Sequence, residues 1–172
     1  MDPSTAMATA PSNVYDLLVR GGAWSDLTRS DADEIRAQWN AEFGSDPDPL
    51  SRYWVLKNET TANYVVLAVR LVTEDELEDP EWGLQTVVPQ EIRANQIALA
   101  MGLFASPAVR GRGLGLILVS RYIEDAKEAG IKFFIENIND ATVASARTYE
   151  RVGFERTAHM RGKENVWVLH VR

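Results

Sequence analysis

Phe104-Ala105-Ser106-Pro107-Ala108-Val109-Arg110-Gly111-Arg112-Gly113-Leu114-Gly115 is the stretch on which the fold turns. It follows an almost wholly apolar run, Ile97 to Ala105, of the kind expected for a strand covered on both faces. It leads into a segment where Leu114, Ile117, Leu118, Tyr122 and Ala126 recur at helical spacing, with Gly130 as a natural stop. Glycines between a strand and a helix let backbone N–H groups approach an anion without interference from a Cβ. The helix adds its unpaired N–H groups and positive dipole end, and Arg110 and Arg112 can add charge-assisted contacts to phosphate. A diphosphate suits such a seat. Two familiar nucleotide motifs do not fit: a G-x-G-x-x-G count from Gly111 ends on Leu116, and no Gly-Lys-Ser/Thr is present.

Outward from this stretch, strands and helices are read from periodicity and punctuation. Val14 to Arg20 is a first strand, broken by Gly21-Gly22. Ser30 with Asp33 resembles a capping box ahead of a helix whose core face is Ala32, Ile35, Trp39 and Phe43. Arg52–Lys57 and Tyr64–Val72 form a hairpin around the polar turn 58–63. Thr73 to Gln96 is a long acidic insertion, with a short helix expected at Pro89–Asn95. Lys132–Asn137 is the next strand, a helix capped by Asp140 or Thr142 runs to Arg151, and Phe154–Met160 with Asn165–Val171 make a final hairpin. No internal repeat or domain boundary is evident, so residues 14–172 are read as a single domain.

Composition narrows the chemistry. The chain has 172 residues, 45% hydrophobic and 25% charged, ordinary for a folded domain. It has no Cys, which excludes disulfides, thiolate nucleophiles and Cys-based zinc sites. His159 and His170 are its only histidines, so no metal is expected. A net charge of −7 argues against a nucleic-acid partner. It suits attraction of a cationic amine, or it simply keeps the protein soluble. No apolar run approaches the ~20 residues of a membrane span. Residues 1–13, small and polar with Pro3 and Pro11, lack a signal-peptide core and read as a disordered leader or a cloning remnant, which makes a cytoplasmic location the default.

Two motifs in order carry a family resemblance. Arg110-x-x-Gly113-x-Gly115 matches the Q/R-x-x-G-x-G/A signature of the GNAT N-acetyltransferases, with Ala105-x-Pro107 in register. Tyr149-Glu150-Arg151-Val152-Gly153-Phe154 resembles that family's Y-E-K-x-G-F segment. The resemblance is firm from Ile97 to Phe154 and looser elsewhere. It implies an α/β (α+β) fold with a central mixed, mostly antiparallel sheet of about seven strands, splayed between the fourth and fifth and flanked by helices.

The resemblance also implies a co-substrate and roles. Backbone groups near Leu103, Phe104 and Ala105 would hydrogen-bond the pantetheine of acetyl-CoA. N–H groups of Arg110, Gly111, Arg112, Gly113, Leu114 and Gly115 would hold its diphosphate. A neutral primary amine, on a small molecule or peptide, would attack the thioester directly through a tetrahedral intermediate. An N–H of the fourth strand would polarise the carbonyl. Tyr149 matches the family phenol near the sulfur and would protonate the departing thiolate; packing in the core is its other reading.

Departures accompany the resemblance. Many members place a base Glu on the fourth strand, yet Ile97–Ala105 holds no acid and no His. Glu136 on the fifth strand, Asp79 and Glu81 in the insertion, or a water relay to solvent are the substitutes, and Glu136 can equally be a solvent-side strand residue. Thr142 and Ser145 stand where the family often has Asn and Ala, leaving Asn137 and Asn139 to compensate or to cap the helix. Trp82, with Glu81, is the candidate acceptor site, and Trp24 and Trp54 are further candidates to box an apolar or cationic acceptor; Trp39 and Trp54 also read as ordinary core aromatics, and His170 reads as packed. The exposed last hairpin allows a homodimer. A catalytically inactive acyl-CoA-binding regulatory module, or an interaction domain that binds no CoA, are the rival functions.

Overall fold

The computed structural model describes residues 15–139 and 143–171; the expected leader and the cap at Asp140 or Thr142 lie outside them. In chain order the elements are β1 (Tyr15–Ala23), α1 (Arg29–Phe43), β2 (Arg52–Asn58), β3 (Tyr64–Leu71), α2 (Glu74–Glu78), α3 (Leu84–Val87), β4 (Ile97–Ala105), α4 (Leu114–Glu128), β5 (Phe133–Asn139), α5 (Val143–Arg151), β6 (Glu155–Arg161) and β7 (Glu164–His170). Single 3-10 turns sit at Trp24–Asp26, Ala94–Gln96 and Pro107–Val109. The strands form one seven-stranded sheet in the order β1-β2-β3-β4-β5-β7-β6. β4 and β5 pair in parallel, whereas β1–β2, β5–β7 and β6–β7 are antiparallel.

By its contacts the chain divides into two compact units, Met1–Ala68 with Gly102–Leu118, and Val69–Met101 with Val119–Arg172. The core of the first is Val19, Ile35, Trp39, Tyr53, Val55, Tyr64, Val66, Ala68 and Phe104. The helical period expected for α1 holds at Ala32, Ile35 and Trp39, while Phe43 at the last turn is exposed. Trp39 lies so close over β4 that a Cβ on Gly102 would stand 2.8 Å from its ring. Two expectations are corrected here. Gly21-Gly22 does not break β1, because register shifts at Leu17/Val19 and Arg20/Gly22 absorb the extra residues as bulges. The helix cap is Thr28, whose side chain accepts from Asp31 N–H, rather than Ser30.

Thr28 and Asp31 belong to a polar cluster at the start of α1. The buried Asp31 carboxylate accepts from Lys57 at 2.7 Å, from the Tyr64 hydroxyl at 2.6 Å and from Thr28 Oγ1 at 3.0 Å. Burial would raise its pKa, but these donors together outweigh burial and hold it below the ordinary 3.8. Asp31→Ala is therefore expected to cost about 2–3 kcal/mol in urea unfolding, because the buried Tyr64 hydroxyl loses its acceptor. The depressed pKa makes this contribution present above the ordinary carboxylate range and lost as pH falls through the folded value. The variant should accordingly show a shallower acid limb than wild type.

In the second unit Val72, Trp82, Leu84, Val88, Ile92, Ile97, Leu99, Phe133, Ile135 and Val166 form the core. The acidic insertion thus carries its own short helices and contributes core residues. Its Glu76 pairs with Arg70 through two contacts of 2.6 and 2.7 Å and closes a capping box with Thr73. Arg70 holds that carboxyl down at about 2. The short helix expected at Pro89–Asn95 is instead a 3-10 turn at Ala94–Gln96.

Candidate active site

The glycine-rich turn has the backbone expected of an anion seat. Gly111 (φ 76°) and Gly113 (φ 74°) are left-handed, a region in which a side chain is strained, and no atom lies within 4 Å of where a Cβ would stand on either. Left-handed residues alternating with ordinary ones turn successive N–H groups inward as a nest. α4 then starts at Leu114, and its first turn is closed by Ile117 N–H donating to Gly113 O at 3.2 Å. The N–H groups of Leu114, Gly115 and Leu116 precede that bond, so the helix itself offers them no acceptor. Gly111, Arg112 and Gly113 are exposed, whereas Leu114 is buried and fixes the helix start.

The turn is braced from beneath. Ser106 is buried; its N–H donates to Tyr64 O at 2.8 Å, its Oγ accepts from Tyr64 N–H at 2.8 Å and donates to Gln38 Oε1. Arg110, expected to contact phosphate, has local acceptors within the fold. Its Nε donates to Ala105 O at 2.8 Å, Nη2 meets Glu42 at 3.2 Å, and the guanidinium lies over the Phe104 ring. Those local acceptors tie its side chain to the end of β4, so it stiffens the loop. A Cβ on Gly115 would touch Leu103 at 3.4 Å, which places the helix start against the predicted pantetheine strand.

A second group of site residues lies on β5 and α5. The parallel ladder runs from Ile97↔Phe133 to Ala100↔Glu136 and ends there, although β4 continues to Ala105 and β5 to Asn139. Met101–Ala105 therefore have no ladder partner in β5 among the described residues. At the last rung Glu136 is 8% exposed and Tyr149 only 1%. The solvent-side alternative for Glu136 is corrected: Phe134, two residues earlier on the same face, packs edge-on against Tyr122 of α4, so helices cover this face.

Glu136 and Tyr149 act on each other without being locked together. Burial pushes the Glu136 carboxyl up to about 8, opposed by Tyr149 and the Asn137 backbone and reinforced by the charge of Glu164. Burial, then Glu136, and lastly Tyr122 push the Tyr149 phenol well above its ordinary value. Yet neither Tyr149 Oη nor Glu136 Oε2 has a partner at normal hydrogen-bond distance and angle. The hydroxyl is buried and kept protonated, and it faces Glu136 without a well-formed hydrogen bond.

Against this geometry stand the known proteins. A family model described as Acetyltransferase (GNAT) family matches residues 14–154. The chain belongs to the GNAT acetyltransferase family. L-methionine sulfoximine/L-methionine sulfone acetyltransferase of Salmonella typhimurium is 36% identical over 58 residues, 34% of either chain, so the matched stretch spans about a third of that relative. Structures share the fold: yncA of Salmonella typhimurium with its cofactor acetyl-CoA aligns at TM-score 0.63 and 15% identity, covering 92% of this chain and 94% of the other. Arabidopsis thaliana NAA60 in complex with acetyl-CoA aligns at TM-score 0.61 and 10% identity, covering 92% and 98%. The mixed seven-stranded sheet with a parallel β4–β5 pair is the GNAT fold.

The remaining predicted positions of this GNAT protein fall elsewhere. Trp82 is a core residue at 3% exposure, with Arg161 stacked 4.0 Å over its ring, so its face is covered and does not form the open acceptor box expected of it. Glu81 is exposed. Ser145 is half-buried on α5, Thr142 lies outside the described residues, and of Asn139 only its backbone place in β5 is described. His170 packs against Phe133 as expected, while His159 hydrogen-bonds Thr86 at 2.7 Å. Tyr122, read as an ordinary helix residue, adjoins Glu136; the apolar Phe133-Phe134 pair, demanding cover on both faces of β5, was the available signal. Among the described residues no helix is long and apolar enough to cross a membrane, and no group of His, Asp and Glu is placed to hold a metal.

Proposed function

We propose that this GNAT protein transfers an acetyl group from acetyl-CoA to a primary amine of a small molecule or peptide, without an acyl-enzyme. The observation that carries the proposal is the exposed nest of Gly111 and Gly113 opening into the α4 N-terminus, which fits a diphosphate in shape and charge. Acetyl-CoA, when bound, supplies the acetyl group as an activated thioester. The N–H groups of residues 110–115 hold its diphosphate, and the unladdered backbone of Leu103, Phe104 and Ala105 supports strand-like pairing with the pantetheine. Tyr149 gives a proton to the departing sulfur. The exposed acids around α2, Glu81 among them, favour a cationic acceptor by attraction.

One observation favours the rival, a CoA-binding regulatory module: β4 carries no acid to deprotonate the incoming ammonium. Free-thiol release across diamines, amino acids and peptide N-termini separates the two. Amine-dependent release matched by acetylated product is expected. Acetyl-CoA binding with no such release from any amine would leave the regulatory module.

A further inference from the structure

Glu136 is a buried carboxyl with no part in the transfer steps assigned to Tyr149 and the glycine-rich loop. Its side chain is only 8% exposed, and Tyr122 of α4 packs on Phe134, two residues earlier on the same face. The groups facing it are Tyr149 from α5 and Tyr122 from α4, with the charge of Glu164 on β7 nearby. Its Oε2 and the Tyr149 hydroxyl are both buried without a partner of good geometry. Two buried polar atoms left without a well-formed partner are costly in a folded protein and call for an explanation in function.

We propose that Glu136 acts through Tyr149, returning to the phenol the proton that Tyr149 gives to the departing sulfur. The inference rests on the acetyl-transfer reading and adds to it the source of the proton. As the C–N bond forms and the C–S bond breaks, sulfur takes the Tyr149 hydroxyl proton. The phenolate left behind, strongly disfavoured in this dry setting, takes the Glu136 proton and leaves a carboxylate. The proton that the acceptor nitrogen loses on becoming an amide resets Glu136 by way of solvent. Over one turnover the protein neither gains nor loses a proton. Because Glu136 acts through Tyr149, it is a positioning residue.

Burial keeps Glu136 protonated at neutral pH, with its carboxyl pushed up to about 8. Wild-type kcat should therefore fall as pH rises through that value. Glu136→Gln keeps the shape but holds no transferable proton; kcat at neutral pH should drop by about 10–100-fold, with acetyl-CoA affinity unchanged and the alkaline fall abolished. Glu136→Asp should retain the fall. The unloaded protein gives an independent readout. A raised carboxyl pKa means the folded chain keeps a proton the unfolded chain releases, so wild-type stability declines between the ordinary 4.5 and about 8. The Tm of Glu136→Gln should exceed that of wild type by a margin that widens over this range. A wild-type kcat flat through the alkaline range, or a Gln variant with wild-type kcat and profile, or a Tm margin independent of pH, overturns the inference while leaving acetyl transfer intact. Acetyl-CoA binding with no thiol release from any amine overturns both.

Discussion

Gly113→Glu should lower acetyl-CoA affinity by about 1,000-fold while leaving the protein folded. Two effects contribute, and their sizes differ. A Cβ at φ 74° is strained, at roughly 1–2 kcal/mol, but meets no atom within 4 Å, so the fold can bear it. The new carboxylate then faces the diphosphate. Like charges about 4 Å apart near a protein surface repel by about 4 kcal/mol. Charge therefore decides the outcome, and Gly113→Ala, which adds only the strain, should lose no more than about 30-fold. Calorimetric titration of both variants, with circular dichroism to verify folding, checks the contrast. Equal losses in the two would show that strain alone governs the loop.

Tyr149→Phe should reduce kcat by about 100–1,000-fold and change acetyl-CoA affinity little, since the hydroxyl is needed when sulfur departs and not while the thioester sits in place. The same substitution removes a buried hydroxyl that has no hydrogen-bond partner, so it should leave stability unchanged or raise it by about 1 kcal/mol. Opposite signs on activity and stability separate a proton donor from a packing residue. As packing, the ring meets Phe154 edge-on with centroids 5.1 Å apart, and Phe keeps that contact. A variant with full turnover would clear Tyr149 of its role.

What was legible in the residues was whatever local pattern dictates. Ile97–Ala105 is β4 to the residue, because an unbroken apolar run between polar turns leaves little choice. α4 begins at Leu114, directly after the glycines that its N-terminus requires. The loop motif and the Tyr149 segment marked the family through the same local chemistry. What was illegible depended on partners distant in the chain. Arg110 looked free for phosphate until Glu42 and Ala105 took it. Trp82 sits on no periodic face, and its burial follows from contacts with strands that its own neighbourhood cannot reveal. Glu136 reads as polar and outward until α4 and α5 are laid across β5. Ser30 with Asp33 has the right spacing for a cap, and only the extended backbone at Thr28 shows that α1 starts earlier, at Arg29.

Titrating the protein in parallel with acetyl-CoA and with S-acetylpantetheine, which carries the same thioester arm but no diphosphate, puts the loop to the most direct test. The account predicts saturable binding of acetyl-CoA and at least about 100-fold weaker binding of the truncated thioester, a difference of nearly 3 kcal/mol that the diphosphate on the nest and helix start shares with the missing adenosine end. Equal affinity for the two, or no binding of acetyl-CoA, would contradict it.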